Sequence, residues 1–429
     1  MQTRLADFIK DTPEGREADE ILRSCVHCGF CLATCPTYQL LGDELDSPRG
    51  RIYLMKQMFE GEPVTHRTQL HLDRCLTCRA CETACPSGVR YGRLVDIGRG
   101  IVEQQVGRGA PARAIRYALR RTLPEAGVFA SLFKLGQTLR PLLPGRLKDA
   151  VPAPPPGAAG DWPPARHARR MLVLEGCVQP TLAPGINAAA ARVLDRLGIS
   201  LITVPDAGCC GAVSYHLNAQ HEGLDHMRRN VDAWWPYVSG EERKGGEGMG
   251  RGAEAIVMTA SGCGVTVKEY GHLLRHDPAY AARAARISEL SRDISEVLAM
   301  EAGPLAARLA RRRDGVRASK LAFHSPCTLQ HGLRIRGMVE RILDEAGFEL
   351  THVPDAHLCC GSAGTYSILQ PELSQRLLRN KVEALESGAP VRIATANIGC
   401  MMHLRSGASR PVDHWIELLD ERLADASAG

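Results

Sequence analysis

The sequence predicts a multidomain α+β and α/β chain: a small helical, cysteine-rich unit at the N-terminus, then two homologous α/β halves built on parallel sheets. Three observations carry this. Eight of the 16 cysteines fall in the first 85 residues as two copies of one spacing, and the other eight form two later sets with matching intervals. Between the two regions lies a basic segment ending in a Pro/Ala-rich stretch. At 429 residues two or three domains are expected, and 44% hydrophobic with 24% charged residues suits a protein with sizeable cores.

The N-terminal runs are Cys25-x2-Cys28-x2-Cys31-x3-Cys35-Pro36 and Cys75-x2-Cys78-x2-Cys81-x3-Cys85-Pro86. This is the spacing of bacterial two-cluster ferredoxins, in which three cysteines wrap three corners of a 4Fe-4S cube and the last of each run reaches across to the other cluster. The pattern assigns Cys25, Cys28, Cys31 and Cys85 to one cluster and Cys75, Cys78, Cys81 and Cys35 to the other. Such a module moves single electrons. Zinc is the competing reading, but zinc sites do not ordinarily use three cysteines at successive x2 spacing. A disulfide framework fits poorly with the polar start Met1 to Lys10, which has no apolar signal segment, so a reducing cytoplasm is expected. No run approaches 18 apolar residues, so no transmembrane segment is expected.

A helix should join the two runs, with Ser47 as N-cap, Pro48 in its first turn, Ile52, Leu54, Met55, Met58 and Phe59 along it, and Gly61 as its stop. A second apolar pattern follows Pro86 at Leu94, Val95, Ile97, Ile101 and Val102. Arg49, Arg51 and Arg90 lie near cluster ligands in sequence. They read either as surface arginines or as charges that raise cluster potentials.

Charge locates the connecting segment. Residues 107–170 hold 12 Lys/Arg against Glu125, Asp149 and Asp161, a net of +9 (12 − 3), whereas the whole chain carries +5. From Ile115 to Leu147 arginines alternate with Leu and Phe, which suits either self-packing helices or a surface for a partner or anionic lipid. Val151 to Gly160 reads as an extended spacer. No nucleic-acid-binding motif is present. The expected divisions are 1–109 for the two-cluster unit, 110–168 for the connection, and 169–300 and 301–429 for the two halves.

The halves are an internal duplication. Cys177, Cys209-Cys210-Gly211 and Cys263 parallel Cys327, Cys359-Cys360-Gly361 and Cys400; the single cysteine precedes its pair by 32 positions in both copies (209 − 177 and 359 − 327). Val204-Pro-Asp-Ala207 matches Val353-Pro-Asp-Ala356, and Arg229-Asn230 matches Arg379-Asn380. An excess of 13 residues in the first copy, from intervals of 53 and 40, falls on a Gly/charge-rich insertion, Ser239 to Gly252. Strands are predicted at Met171 to Leu174, Leu201 to Val204 and Ile256 to Thr259, with a helix at Ala188 to Leu197. The second copy repeats them at Leu321 to Phe323, Glu349 to Val353 and Ile393 to Thr395, with a helix at Val339 to Ala346. Alternating strands and helices imply parallel sheets with the cysteines at the carboxyl ends of the strands. Those thiols can bind metal, cycle with disulfide or fill the core as small hydrophobes. Neither a dinucleotide fingerprint nor a P-loop occurs, so no nucleotide site is expected.

The duplicated Cys-Cys-Gly region resembles the catalytic subunit of heterodisulfide reductases, whose motif ends in Cys-x-x-Cys and holds non-cubane iron–sulfur clusters. This chain departs there: Cys263 is followed by Gly264-Val265-Thr266 and Cys400 by Met401-Met402-His403, with His403 as a candidate substitute ligand. Nearly the whole chain is similar to the iron–sulfur subunits of membrane-linked 2-hydroxy-acid and glycerol-3-phosphate dehydrogenases, above all the glycolate-oxidising type. The similarity lies in Cys25-Val-His-Cys-Gly-Phe-Cys31, Cys35 through Leu45, Ser47 through Leu54, Asn397-Ile-Gly-Cys400 and Val412-Asp-His-Trp-Ile-Glu417. The resemblance implies two 4Fe-4S clusters here, with a further iron–sulfur or metal site an open matter for the halves. It also implies FAD only on a partner flavoprotein that oxidises glycolate to glyoxylate, with D-lactate as a further candidate substrate, a quinone or membrane acceptor, and a peripheral place on the cytoplasmic face of the inner membrane. L-Lactate, glycerol 3-phosphate or a disulfide substrate are the alternatives.

Overall fold

The computed structural model describes residues 1–142, 144, 159–239, 252–310 and 319–424. The N-terminal unit is built from helices Pro13–Ser24, Pro36–Leu41, Pro48–Phe59, His66–Asp73, Ala80–Thr83 and Tyr91–Val106. The helix between the cysteine runs starts where the sequence places it: Ser47 Oγ accepts the Gly50 N–H at 3.0 Å and Pro48 occupies the first turn. Gly61 follows its end with φ 96°, a left-handed turn that costs glycine little. Ile52, Met55, Met58 and Phe59 form its buried face and pack with Leu72, Leu94 and Val95. Leu94 and Val95 lie on Tyr91–Val106, the second helix expected from the sequence.

Each half carries a four-stranded, wholly parallel sheet. β1 (Arg169–Val173), β2 (Ile199–Thr203), β3 (Ile256–Met258) and β4 (Ser291–Asp293) take the order β2-β1-β3-β4. β5 (Ser319–His324), β6 (Phe348–Leu350), β7 (Arg392–Thr395) and β8 (Val412–His414) take the order β6-β5-β7-β8. The crossover helices Gly185–Arg196 and Met338–Glu345 force the parallel direction, because only a crossover returns the chain to the same end of the sheet. Three strands per half match the expectation. β4 and β8 were not foreseen; at three residues each, Ser-Arg-Asp and Val-Asp-His carry no strand periodicity. Both end in a capping box, Asp293 with Glu296 and His414 with Glu417, and that repeated signature is the trace they leave in the sequence.

The halves pack reciprocally. Gly185–Arg196 lies against Trp415–Leu423, and Ile294–Met300 against Met338–Glu345, so equivalent helices meet across a pseudo-twofold. One apolar core runs through both, including Ala190, Val193 and Leu194 with Ile416, Leu419 and Val339. The N-terminal unit rests on both halves. Arg79 makes a bidentate pair with Glu269 at 2.6 and 3.0 Å on the first, while Tyr366 Oη donates to Arg74 O at 3.1 Å from the second.

Helices Ala110–Thr122 and Ala126–Leu139 occupy the basic segment and contain no buried residue. Most of the spacer Val151 to Gly160 and most of the insertion Ser239 to Gly252 lie outside the described residues.

Glu17 ties the N-terminal unit to the first half. It accepts from Arg275 at 2.8 Å and pairs with His272 at 3.2 Å and Arg93 at 3.5 Å. Burial opposes its ionisation, yet the His272 hydrogen bond and the Arg275 and Arg93 guanidinium groups hold it at about 2 against an ordinary 4.5. A depressed carboxylate stabilises fully above its unfolded value and loses that effect as pH falls through the folded one. We therefore predict that Glu17→Gln lowers the thermal midpoint by a few degrees at pH 7. The gap to wild type should close as pH falls below about 4.5 toward 2. Calorimetry across that range checks it; a gap independent of pH would contradict the account.

Candidate metal centres

The two cysteine runs wind alike. His27 and Gly29 in the first loop, and Thr77 and Arg79 in the second, have positive φ at the same two offsets from the leading cysteine, with values of 56°, 87°, 52° and 60°. Alternating hands curl a backbone into a concave turn with N–H groups aimed inward. Thr77 N–H points to Cys75 Sγ at 3.3 Å. Pro36 begins the helix Pro36–Leu41 directly after Cys35 and carries the chain away from the first loop.

Two cavities result. Cys25, Cys28, Cys31 and Cys85 line the first, with Ile52 and Val89 among its walls. Cys35, Cys75, Cys78 and Cys81 line the second, with Leu76 and Arg51 beside them. Cys81, Pro48 and Tyr91 border both, so the two spaces share a wall. Four soft thiols around one space suit a cube with one thiolate per iron. Burial raises the thiols of Cys25, Cys78 and Cys81 and lifts Cys31 to about 11, so deprotonating them calls for a nearby positive charge, which iron would supply.

The cavities differ in exposure and charge. Cys28 is exposed, and Val26 and Phe30 beside it are about two-thirds exposed at 67% and 66%, so the first cavity opens at the surface. Arg51 lies behind the second at 1% exposure, its Nη1 4.0 Å from Cys35 Sγ. Its guanidinium donates to His71 O at 2.7 Å, Thr37 Oγ1 at 3.1 Å and Asp46 Oδ1 at 3.2 Å. Asp46, fully buried, also takes Arg74 at 2.8 Å. Of the three arginines near the runs, Arg51 is no surface residue; Arg49 pairs with Glu44 and Arg90 with Glu20.

In the halves all eight cysteines follow strands. The thiols form a hydrogen-bonded row in each: Cys177–Cys209–Cys210–Cys263 and Cys327–Cys359–Cys360–Cys400. Gly211 and Gly361 turn the chain at φ 91° and 92°, and a Cβ on either would stand 2.6 Å from a backbone oxygen, Gly223 O or Ser374 O. Only glycine fits between the pair and the helix it packs on. In the row of the first half, the bond to Cys177 favours the Cys209 thiolate, but Cys210 and burial outweigh it and push the group to about 12.

The surroundings of the rows differ. Cys210 packs among Leu174, Met258, Val231 and Met227. The duplication puts His324, Thr395 and Lys381 where the first half has Leu174, Met258 and Val231. Lys381, 3% exposed, donates to Asp355 O at 2.8 Å, and burial lowers its pKa beside the thiols. The sequence reading passed over His324 in favour of His403. His403 Nε2 lies 3.2 Å from Ser374 Oγ and is also bonded at the Cys360 backbone. The second row adjoins the N-terminal unit: Cys327, Cys359 and Tyr366 pack with Leu76 and Cys78.

Two thiol-lined cavities joined to a duplicated thiol-bearing α/β scaffold define an iron–sulfur electron-transfer protein. The family models agree: residues 21–89 match a 4Fe-4S dicluster domain, and 171–268 and 321–405 each match a cysteine-rich domain. The chain is 56% identical over 99% of both lengths to the glycolate oxidase iron–sulfur subunit of Escherichia coli K12. It is 30% identical to a probable glycolate oxidase iron–sulfur subunit of Bacillus subtilis 168, over 91% of this chain and 89% of that one. Lactate utilization protein A of Bacillus licheniformis is 24% identical over 57% of this chain and 97% of its own length. The chain belongs to the family of glycolate oxidase iron–sulfur subunits.

The buried Arg51 charge favours the reduced, more negative state of whatever cluster Cys35 ligates. Arg51→Gln should lower one of two midpoint potentials by roughly 100–180 mV, the scale of a unit charge about 4–7 Å away at an effective dielectric near 20. Arg51→Lys should restore most of the loss. EPR-monitored redox titration reads both; equal potentials in all three proteins would contradict this role for Arg51.

Proposed function

We propose that this chain carries electrons inside a glycolate-oxidising complex, from a flavoprotein subunit that turns glycolate into glyoxylate toward a quinone or other membrane acceptor. Residues 1–109 form its two-cluster unit, 110–168 its connection, and 169–300 and 301–429 its halves. Cys25, Cys28, Cys31 and Cys85 hold one cluster; Cys75, Cys78, Cys81 and Cys35 hold the other. When bound, such clusters pass electrons one at a time, which suits a carrier placed after a two-electron flavin.

The observation that carries this reading is the sequence of cysteine sites through the molecule. The first cavity opens at Cys28 under an apolar rim of Val26 and Phe30, a surface for a partner to dock on. It shares the Cys81 wall with the second cavity. Cys78 of the second then packs against Cys327 and Cys359 of the second half. Entry at the exposed end and exit toward the halves follow from that order.

The acceptor side has support of its own. Val128, Leu132, Leu135 and Leu139 are exposed on Ala126–Leu139 at intervals of 4, 3 and 4, which places them on one face. From Ala126 to Lys148 the sequence has no acidic residue and includes Lys134 and Arg140. An apolar face on an acid-free, basic helix suits peripheral binding to anionic lipid on the cytoplasmic side of the inner membrane. Among the described residues no helix is long and apolar enough to cross a membrane.

Substrate chemistry belongs to the partner, because the chain has no dinucleotide fingerprint or P-loop. The isolated chain should therefore not oxidise glycolate. Co-expression with the flavoprotein should give glycolate-dependent quinone reduction, and a Cys28→Ala chain in the same complex should reduce that rate at least tenfold. Turnover by the flavin-free chain alone, or full quinone reduction with Cys28→Ala, would overturn the proposal.

A further inference from the structure

The two thiol rows share a scaffold but not an environment, and the difference points to a ligand. One ring nitrogen of His324 and the sulfurs of Cys360 and Cys400 lie within 4.8 Å of one another, and all three residues are buried. His324 is 1% exposed; Thr395 Oγ1 lies 2.9 Å from its Nδ1, and its Nε2 has no hydrogen-bond partner. A buried ring nitrogen left without a partner is costly unless something else binds there. Metal-bound histidines commonly engage their other ring nitrogen in a hydrogen bond that fixes the ring, and Thr395 fills that place here.

The first half provides an internal control. Where the second half has His324 and Thr395, it has Leu174 and Met258, and both pack in the apolar core with Cys210. Without nitrogen ligand or supporting hydroxyl, Cys210 and Cys263 of that row pack in the apolar core of the first half. The duplication has kept the cysteines in both copies and placed a nitrogen donor in one.

We propose that the second half binds a single divalent ion of the zinc class through Cys360 Sγ, Cys400 Sγ and His324 Nε2, and that the first half binds none. Two thiolates and an imidazole are a soft and borderline donor set that zinc favours. The compact triad suits one ion rather than a cube, whose thiolates must stand on separate iron corners. Binding releases the two thiol protons to solvent, and the thiolates with the ion are then neutral together. His403 is not a ligand here, because Ser374 and the Cys360 backbone already engage it. The site would pin the β5 and β7 ends to the Cys-Cys-Gly turn, beside the contact that Cys327 and Cys359 make with Cys78. This inference does not rest on glycolate being the substrate of the complex.

The test is metal analysis of the purified full-length chain, with zinc, iron and acid-labile sulfide counted per chain, together with zinc-edge X-ray absorption. The expected result is one zinc with both sulfur and nitrogen ligands, in addition to the iron and sulfide of two cubanes. His324→Leu, which installs the twin residue, should lose the zinc and keep the iron, the sulfide and both cubane EPR signals. Cys209→Ser in the first half should retain it. Thr395→Val provides a second variant should His324→Leu fold poorly, and should give up zinc to a chelator at least tenfold faster than wild type. Absence of zinc, zinc unaffected by His324→Leu, wild-type retention by Thr395→Val, or iron and sulfide beyond two cubanes that disappear with His324 would each overturn the proposal. Loss of the cubane signals from wild type would instead count against the electron-carrier reading.

Discussion

The N-terminal unit depends on bringing eight thiols into two adjoining spaces, so that on the proposed assignment the last cysteine of each run serves the cavity of the other. Neither run can then complete its site alone. Crossing requires the loops to lie side by side, and the helices Pro48–Phe59 and Tyr91–Val106 accomplish this by packing on each other through Ile52, Met55, Leu94 and Val95. A unit of this size has little core, and clusters bridging two chain segments add cross-links that a small hydrophobic interior cannot supply. Cys81, Pro48 and Tyr91 stand between the two cavities and would set the spacing of clusters bound in them. Stability and electron transfer thus draw on one arrangement.

Charge then separates two sites of similar construction. One opens to solvent at Cys28, and the other has Arg51 behind it, paired with an Asp46 that also holds Arg74. Two guanidinium groups against one carboxylate leave a positive surplus by Cys35. The halves repeat the theme: duplicated backbones, Gly211 and Gly361 in the same left-handed turn, and different side chains around them. Conserved geometry sets where thiols converge. The residues lining that geometry decide what the thiols do.

Much of this was legible in the sequence, because the determining features are local. Ser47 and Pro48 announce a helix start through capping chemistry, and the cysteine spacing and equal intervals of the copies are countable. The alternation of strands and helices along the chain implies parallel sheets. What escaped were features formed only by tertiary contact. β4 and β8 exist because β3 and β7 offer them an edge, and three polar-leaning residues carry no periodicity of their own. Arg51 looked like any arginine on a helix until folding placed it against Thr37 and His71. His324 lies at the end of an apolar strand, three positions before Cys327; comparison with Leu174 in the other copy is the signal that would have singled it out.

The central claim is the crossed assignment of the fourth thiolates, and EPR of the reduced single variants tests it most directly. Cys28→Ala and Cys78→Ala identify which of the two cluster signals belongs to each run. On the present account Cys85→Ser alters the signal that Cys28→Ala removes, and Cys35→Ser alters the one that Cys78→Ala removes. If Cys85→Ser instead perturbs the Cys78 signal and leaves the Cys28 signal unchanged, each run ligates its own cluster and the account fails.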